Sequence, residues 1–146
     1  MFLPTDVHYM QQALIEARRA AAEGEVPVGA VMVCNGKILS RTHNLTERLN
    51  DPTAHAEMLA ITAATESLGA KYLTDCTLYV TVEPCVMCAG AIGWAQIPTL
   101  VFGASDEKKG YRSFAPDALH PKTIVKSGVL EEDCATEMKH FFQNKR

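Results

Sequence analysis

The stretch TLYVTVEPCVMCAGAIGWA (residues 77–95) joins a β-strand pattern to an apolar helix pattern. TLYVTV (77–82) is rich in β-branched and aromatic residues, which predicts a strand. Pro84 ends that strand, and we expect it to be the first residue of a helix, where proline is tolerated because no hydrogen bond is lost. Cys85 and Cys88 would then lie three residues apart on the first turns, with both sulfurs on one side. A strand that leads directly into a helix is typical of α/β folds.

The rest of the chain predicts a similar alternation of elements. Apolar residues at helical spacing follow Asp6, which we expect to be an N-cap, and the N-terminal helix should end at Gly24. Asn35 and Gly36 form a strong two-residue hairpin signal. The other predicted elements are the strands 27–33, 37–43, 100–104 and 124–130 and the helices 54–68 and 131–144. This order predicts one three-layer α/β/α domain over residues 1–146, with a mixed five-stranded sheet between the helices.

Length and composition indicate a globular protein with reduced cysteines. The 146 residues are 47% hydrophobic and 21% charged, which excludes a disordered or collagen-like chain. The longest apolar run, 85–95, is too short to span a bilayer, and the N-terminus lacks the features of a secretory signal. We therefore expect a cytoplasmic protein without membrane contact. Its five cysteines cannot all pair within one chain, which argues against a disulfide framework.

The net charge of −3 gives no bulk signature of a nucleic-acid-binding protein, but basic residues cluster locally. Residues 108–126 contain five basic side chains, one acidic side chain and two interleaved aromatic ones. The basic residues are Lys108, Lys109, Arg112, Lys122 and Lys126, and the aromatic ones are Tyr111 and Phe114. Two interpretations stay open: a solvated face, as most charge runs are, or a local patch for nucleic acid.

Three roles are open to the Cys85-x-x-Cys88 pair: a redox dithiol, half of a metal site, or two small core residues. A redox pair usually belongs to a thioredoxin-like order of elements, which this chain lacks. DPTAHAE (51–57) places His55 and Glu57 at a second helix start, and a helix N-terminus also favours the thiolate form that binds metal. We therefore predict a zinc site with His55, Cys85 and Cys88 as ligands.

Three protein ligands indicate a catalytic rather than a structural zinc site. Structural sites are closed by four protein ligands, whereas catalytic sites keep a position for water. None of Cys34, Cys76 and Cys134 is an obvious fourth ligand. Glu57 is either the fourth ligand or a proton carrier, and we favour the proton carrier, since zinc lowers the pKa of bound water to about 7. This pairing predicts hydrolytic deamination of an aromatic ring.

The segments 55–57 and 84–88 read HAE and PCVMC, which match the H-x-E…P-C-x-x-C signature of zinc deaminases that act on nucleobases. The sequence resembles the cytidine/deoxycytidylate deaminase superfamily and, within it, the bacterial tRNA-specific adenosine deaminases. The resemblance extends over nearly the whole chain. It includes GEVPVGAVMV (24–33), VFGASDEK (101–108) and the terminal FF (141–142).

This resemblance implies a cytidine-deaminase-like fold, a homodimer, Zn²⁺ as cofactor and the tRNA anticodon loop as partner. The implied reaction converts adenosine to inosine at the wobble position. The resemblance places Asn44 in the base pocket, Asp106 and Lys108 on the neighbouring sugar-phosphate, and Phe141 and Phe142 against the anticodon loop. Single-stranded loops are bound by aromatic and basic side chains, so Arg112 of the basic stretch joins these candidate contacts.

Alternatives stay open for the substrate and for several contacts. The tryptophan at position 94 resembles the sequence of guanine deaminases of the same superfamily at this place. The alternative function is therefore a free-base or nucleoside deaminase of guanine or cytosine type. A non-catalytic, zinc-stabilised RNA-binding module is a third hypothesis, disfavoured because it has no use for Glu57. Asn44 has an alternative role as a turn residue, and Phe141 and Phe142 as helix packing. The apolar cysteine helix is a candidate dimer interface or simply core.

Overall fold

The computed structural model describes residues 2–144. The elements in these residues are α1 (Pro4–Ala22), β1 (Gly29–Cys34), β2 (Lys37–His43), α2 (Ala56–Leu68), β3 (Cys76–Val82), α3 (Val86–Trp94), β4 (Thr99–Ala104), α4 (Tyr111–Phe114), β5 (Ile124–Ser127) and α5 (Glu131–Asn144). The strands form a five-stranded sheet in the order β2-β1-β3-β4-β5. β1 pairs antiparallel with β2 and β3, whereas β3, β4 and β5 run parallel. The predicted mixed five-stranded sheet is therefore confirmed.

Helices cover both faces of the sheet, because side chains alternate along its central strands. Ala30 and Met32 of β1 belong to the core that includes residues of α2 and α3. Val31 and Val33 belong to the core that includes residues of α1 and α5. The sheet thus lies between two helical layers, as predicted, and β1, β3 and β4 are buried on both sides.

The hairpin between β1 and β2 forms as the sequence predicts. Asn35 and Gly36 both adopt positive φ, 52° and 76°, which is the conformation that a two-residue type I′ turn requires. The register shifts between Met32, which pairs with Ser40, and Val33, which pairs with Ile38. The strand order places β2 at the sheet edge, and its C-terminal end lies next to the functional site described below.

The predicted N-cap role of Asp6 is wrong. α1 begins at Pro4, and Asp6 lies in its first turn, where its carboxylate accepts the N–H of Leu3 at 3.4 Å. The same carboxylate accepts hydrogen bonds from the Tyr79 hydroxyl at 2.8 Å and from Lys126 Nζ at 2.9 Å. Asp6 is thus a buried link between α1 and the sheet, which the sequence pattern does not reveal.

Several predicted boundaries shift by one to three residues. Pro84 is not the first residue of the cysteine helix: α3 begins at Val86, with Cys85 as N-cap. β5 ends at Ser127 rather than at residue 130, because the chain turns at Gly128 with φ of 86°. The short helix α4 is not predicted, since four residues are too few for a periodic pattern. Within residues 2–144, no helix has the length and apolar character needed to cross a membrane.

Candidate metal centre and active site

The starts of α2 and α3 bring the predicted metal ligands together. His55 is the N-cap of α2 and Cys85 the N-cap of α3, and Cys88 lies in the first turn of α3. Nδ1 of His55 lies 3.6 Å from Sγ of Cys85 and 3.5 Å from Sγ of Cys88. The three candidate ligand atoms all lie within 4.8 Å of one another.

These distances fit a tetrahedral zinc ion. Zinc–sulfur bonds of about 2.3 Å and zinc–nitrogen bonds of about 2.0–2.1 Å at tetrahedral angles separate nitrogen and sulfur by about 3.6 Å. The cluster of His55, Cys85 and Cys88 is the only such group of His, Cys, Asp or Glu among residues 2–144. No fourth protein ligand completes it there, so the donor set suits an ion that keeps one position open.

The electrostatics of the cluster favour a thiolate at Cys85. The pKa of Cys85 falls to about 4, because it accepts a hydrogen bond from the Cys88 thiol and lies beside the His55 ring. The hydrogen bond to Cys85, together with burial, raises the pKa of Cys88. Contact with Cys85 likewise raises the pKa of His55. The resulting thiolate at Cys85 is the form that coordinates metal.

Glu57 lies beside this cluster on the first turn of α2. Its side chain is buried, and burial raises the pKa of Glu57 to about 7. A carboxyl group with a pKa near the working pH both accepts and releases protons readily. The helix end faces the cluster, so His55 and Glu57 line the same cavity although they are two residues apart.

A cavity of about 890 Å³ opens in front of the cluster. Of the candidate site residues from the sequence, seven line it: Asn44, His55, Glu57, Cys85, Asp106, Lys108 and Phe142. Three are not among its lining residues: Cys88, Arg112 and Phe141. Cys88 still belongs to the metal cluster, although it does not line the cavity. Phe141 packs edge-to-face against Phe142, with ring centroids 5.3 Å apart.

Asn44 occupies the cavity wall directly after β2. Its N–H donates to the carbonyl of Val28 at 3.1 Å, and Nδ2 donates to Thr46 Oγ1 at 3.3 Å. Asn44 is buried, so its amide is oriented by its neighbours before any ligand arrives. The position fits both interpretations, a turn residue at a strand end and a base contact.

The basic stretch 108–126 is divided among different surroundings. Lys108 and Lys109 line the cavity. Arg112 donates to Glu83 Oε1 at 3.0 Å and to Ser105 Oγ at 2.8 Å, and Lys126 binds Asp6. Arg112 and Lys126 are therefore paired with buried carboxylates, whereas Lys108 and Lys109 lie next to the cavity.

Two buried glutamates near the cavity were missed by sequence reasoning. Glu25 accepts the N–H groups of Glu47 at 3.0 Å and Arg48 at 2.8 Å and so holds the turn that follows Asn44. Glu83 accepts the N–H of Asp106 at 3.1 Å. The sequence signal for each of them was a single carboxylate inside an apolar segment. Such a carboxylate becomes buried when the chain folds, and a buried charge needs hydrogen-bond partners.

One face of α5 also lines the cavity. Its contributing residues are Ala135, Met138, Lys139, Phe142 and Gln143. They recur at helical spacing, which could have identified the face, but no local pattern shows which surface that face covers.

Residues 4–104 match the family model described as the cytidine and deoxycytidylate deaminase zinc-binding region. The chain belongs to the cytidine and deoxycytidylate deaminase family. This membership confirms the resemblance inferred from the HAE and PCVMC segments and the prediction of a deaminase. The metal cluster and Glu57 described above lie within the matched region of this deaminase domain.

Relatives in the deaminase family include proteins of two substrate classes. A tRNA-specific adenosine deaminase from Agrobacterium fabrum is 45% identical over 144 residues, which is 95% of each chain. A solved structure from work on A-to-I editing by tRNA:A34 deaminases at the wobble position superposes with a TM-score of 0.84 and 44% identity, covering 89% of this chain and 98% of that one. A guanine deaminase from Bacillus subtilis gives a TM-score of 0.65 and 41% identity over 67% of this chain and 63% of that one.

Proposed function

We propose that this protein is a zinc-dependent deaminase that converts adenosine to inosine at the wobble position of a tRNA anticodon loop. The observation that carries the proposal is one cavity that combines a His–Cys–Cys cluster with the buried carboxylate of Glu57. The identity with tRNA-specific adenosine deaminases over nearly the whole chain supports the choice of substrate.

Each side chain of the centre has a distinct task in this proposal. His55, Cys85 and Cys88 would hold zinc, which when bound makes water acidic enough to be a nucleophile near neutral pH. The Glu57 carboxylate takes one proton from the attacking water and delivers it to a ring nitrogen of the base, and it then carries the second proton of that water to the departing amine. Burial of Glu57 keeps bulk water away from these proton transfers.

The walls of the cavity suit a nucleotide that is turned out of an RNA loop. We propose that Asn44 binds the base, that Asp106 and Lys108 contact the adjoining sugar-phosphate, and that Phe142 stacks on a neighbouring base. The ring of Phe142 is 54% exposed at the cavity, as a stacking residue must be before RNA binds. Arg112 and Phe141, which the sequence also predicts to contact RNA, do not line the cavity, so this proposal assigns them no contact.

The competing function is deamination of a free base such as guanine. It is favoured by the identity with the Bacillus subtilis guanine deaminase, but that similarity spans two thirds of the chain rather than nearly all of it. Ammonia release should be measured on an anticodon stem-loop, guanine, cytosine and cytidine. We expect product from the stem-loop alone, and release from guanine but not from RNA would overturn the proposal.

We also propose that the protein is a homodimer, assembled through the exposed face of α3. Val86, Gly90 and Trp94 are spaced four residues apart and form one apolar stripe. Trp94 is 84% exposed, and a Cβ built on Gly90 would meet no atom within 4 Å. Exposed apolar stripes of this kind mark protein–protein contacts.

A cytoplasmic location is part of the same proposal, supported by the five free thiols.

A further inference from the structure

Glu83 has a buried carboxylate and lies two residues before the proposed metal ligand Cys85. It lies between β3 and Cys85, and its side chain is almost fully enclosed. Oε1 accepts the N–H of Asp106 at 3.1 Å and the guanidinium of Arg112 at 3.0 Å, and Oε2 accepts the N–H of Arg112 at 3.1 Å. Both oxygens are therefore occupied by the segment that follows β4.

The Arg112 guanidinium is engaged within the protein. Besides Glu83, it donates to Ser105 Oγ at 2.8 Å and lies over the Phe102 ring, 4.8 Å from its centroid. The side chain is 44% exposed, but it is not among the residues that line the cavity. A planar guanidinium held by a carboxylate and an aromatic face has a defined orientation, which suits a structural contact.

Residues 105–110 form a loop that is closed by its own hydrogen bonds and packs against the Glu83–Arg112 pair. The carbonyl of Asp106 accepts the N–H of Gly110 at 2.8 Å, and Asp106 Oδ1 accepts the N–H groups of Lys108 and Lys109 at 3.1 and 3.0 Å. A Cβ at Gly110 would collide with Asp106 and Glu83, so the loop depends on glycine there. The loop is therefore internally bonded and packed against Glu83.

The same loop is joined to the segment that carries a metal ligand. Gly110 forms a β-bridge with Cys85, and the N–H of Tyr111 donates to the carbonyl of Pro84 at 2.9 Å. Glu83 thus contacts the loop that bears Asp106 and Lys108 and lies two residues from Cys85. A change in the Arg112–Glu83 pair should displace the cavity wall relative to the metal centre.

We propose that Arg112 is a positioning residue that acts through Glu83, and that it fixes the Ser105–Lys109 wall against the metal centre instead of binding an RNA phosphate. The proposal rests on the function proposed above, because Asp106 and Lys108 are assigned there to the sugar-phosphate. Loss of the guanidinium leaves the Glu83 carboxylate buried with backbone donors alone, so the wall should loosen.

The test compares Arg112→Ala, Glu83→Gln and the double variant with the zinc-loaded wild-type protein, using Lys37→Ala as a control. Lys37 lies at the hairpin, is exposed and does not line the cavity, so its loss removes one positive charge without touching the wall. Four quantities are measured: the single-turnover rate at saturating stem-loop, the affinity at several salt concentrations, amide exchange of residues 105–109, and zinc content.

We expect Arg112→Ala and Glu83→Gln each to lower the saturated rate about tenfold and to speed amide exchange in residues 105–109. The double variant should be no slower than the slower single variant, since each change removes the same contact, the one between Arg112 and Glu83. Zinc content and the salt slope should stay as in the wild type, and Lys37→Ala should match the wild type throughout.

A phosphate contact gives the opposite pattern and would overturn the proposal: Arg112→Ala would keep the saturated rate and the slow exchange, and its salt slope would fall by about one. If the alanine variant does not fold, Arg112→Lys separates the two readings. A lysine keeps a phosphate contact and a normal saturated rate, whereas it does not reproduce the guanidinium between Glu83 and Phe102, so positioning predicts a slower rate. A wild-type protein that is inactive on RNA would defeat the proposed function, and the exchange measurement would still decide the role of Arg112.

Discussion

At the scale of single residues, the chemistry depends on where a few polar side chains are buried. Glu57 and Asn44 are both buried at the cavity wall, and the amide of Asn44 is held by its hydrogen bond to Thr46. His55 and Cys85 have the extended backbone conformation of N-caps, with φ of −75° and −74°, and their side chains meet in front of two helix ends. Preorganised groups of this kind need little rearrangement during a reaction.

Replacing Glu57 with Gln should abolish ammonia release and leave zinc bound. Glutamine has nearly the same shape but cannot take up and deliver the proton, and general acid–base catalysis contributes about 10²–10⁴-fold to a rate. Ammonia release from the stem-loop and zinc content by elemental analysis check this prediction. Turnover at the wild-type rate in a zinc-loaded variant would show that Glu57 has another role.

At the scale of secondary-structure elements, polar contacts between distant segments fix the packing around the sheet. The carboxylate of Asp6 links α1 to Tyr79 of β3 and Lys126 of β5. Burial alone would raise the pKa of Asp6, but the hydrogen bonds from Lys126 and Tyr79 outweigh it and hold the pKa below 3.8. Asp6 therefore stabilises the folded state in its charged form.

Replacing Asp6 with Asn should lower the free energy of unfolding at pH 7 by about 2 kcal/mol, since hydrogen bonds to a charged group are lost. Because the folded-state pKa of Asp6 is lowered, its contribution is complete well above pH 3.8 and disappears as the pH falls through the folded value. Urea unfolding of both proteins from pH 7 downward checks this. A difference that stays constant into strong acid would contradict the assignment.

The contact between α2 and α3 should depend on zinc, because the proposed ligands lie on both helix starts. Ligand binding stabilises the folded state, by about 4 kcal/mol at a thousandfold excess over Kd. We expect a chelator to lower Tm and added zinc to restore it. The matched control is Cys85→Ser, whose Tm should respond much less to chelator. An unchanged wild-type Tm after verified zinc removal would contradict the prediction.

At the scale of the whole molecule, the cavity is assembled from segments across the chain. Its walls come from the β2–α2 segment, the starts of α2 and α3, the loop after β4 and one face of α5. The exposed stripe of α3 points away from the core and is available to a second copy. The chain is a member of the deaminase family, and its cavity and its exposed α3 stripe are different parts of the molecule, so the proposed RNA contact and the proposed dimer contact do not overlap.

Replacing Trp94 with Lys should convert the proposed dimer to a monomer. A charged side chain is costly to bury in an apolar interface, so the substitution should weaken association of the two copies by about tenfold or more. Sedimentation velocity over a range of concentrations measures the effect, and Lys122→Ala, a change at an exposed site outside the stripe, is the control. A wild-type protein that is monomeric throughout would refute the dimer.

Much of the fold follows from local patterns in the chain. The hairpin at Asn35 and Gly36, the apolar strand 77–82 and the amphipathic helix 131–144 each carry their signal within a few consecutive residues. The metal ligands were also recognisable, because His55 and the cysteine pair occur in short motifs at helix starts. Periodicity and turn chemistry are local properties, so the sequence alone suffices for them.

The tertiary structure alone decided the polar contacts between distant segments. Arg112 reads as part of a basic patch but pairs with Glu83, 29 positions away, and Lys126 pairs with Asp6 across 120 positions. Nothing local distinguishes a lysine or arginine that meets a buried carboxylate from one that stays in solvent. The partner is set by which segments the sheet order places side by side, and desolvation makes that partner necessary only after the chain has folded.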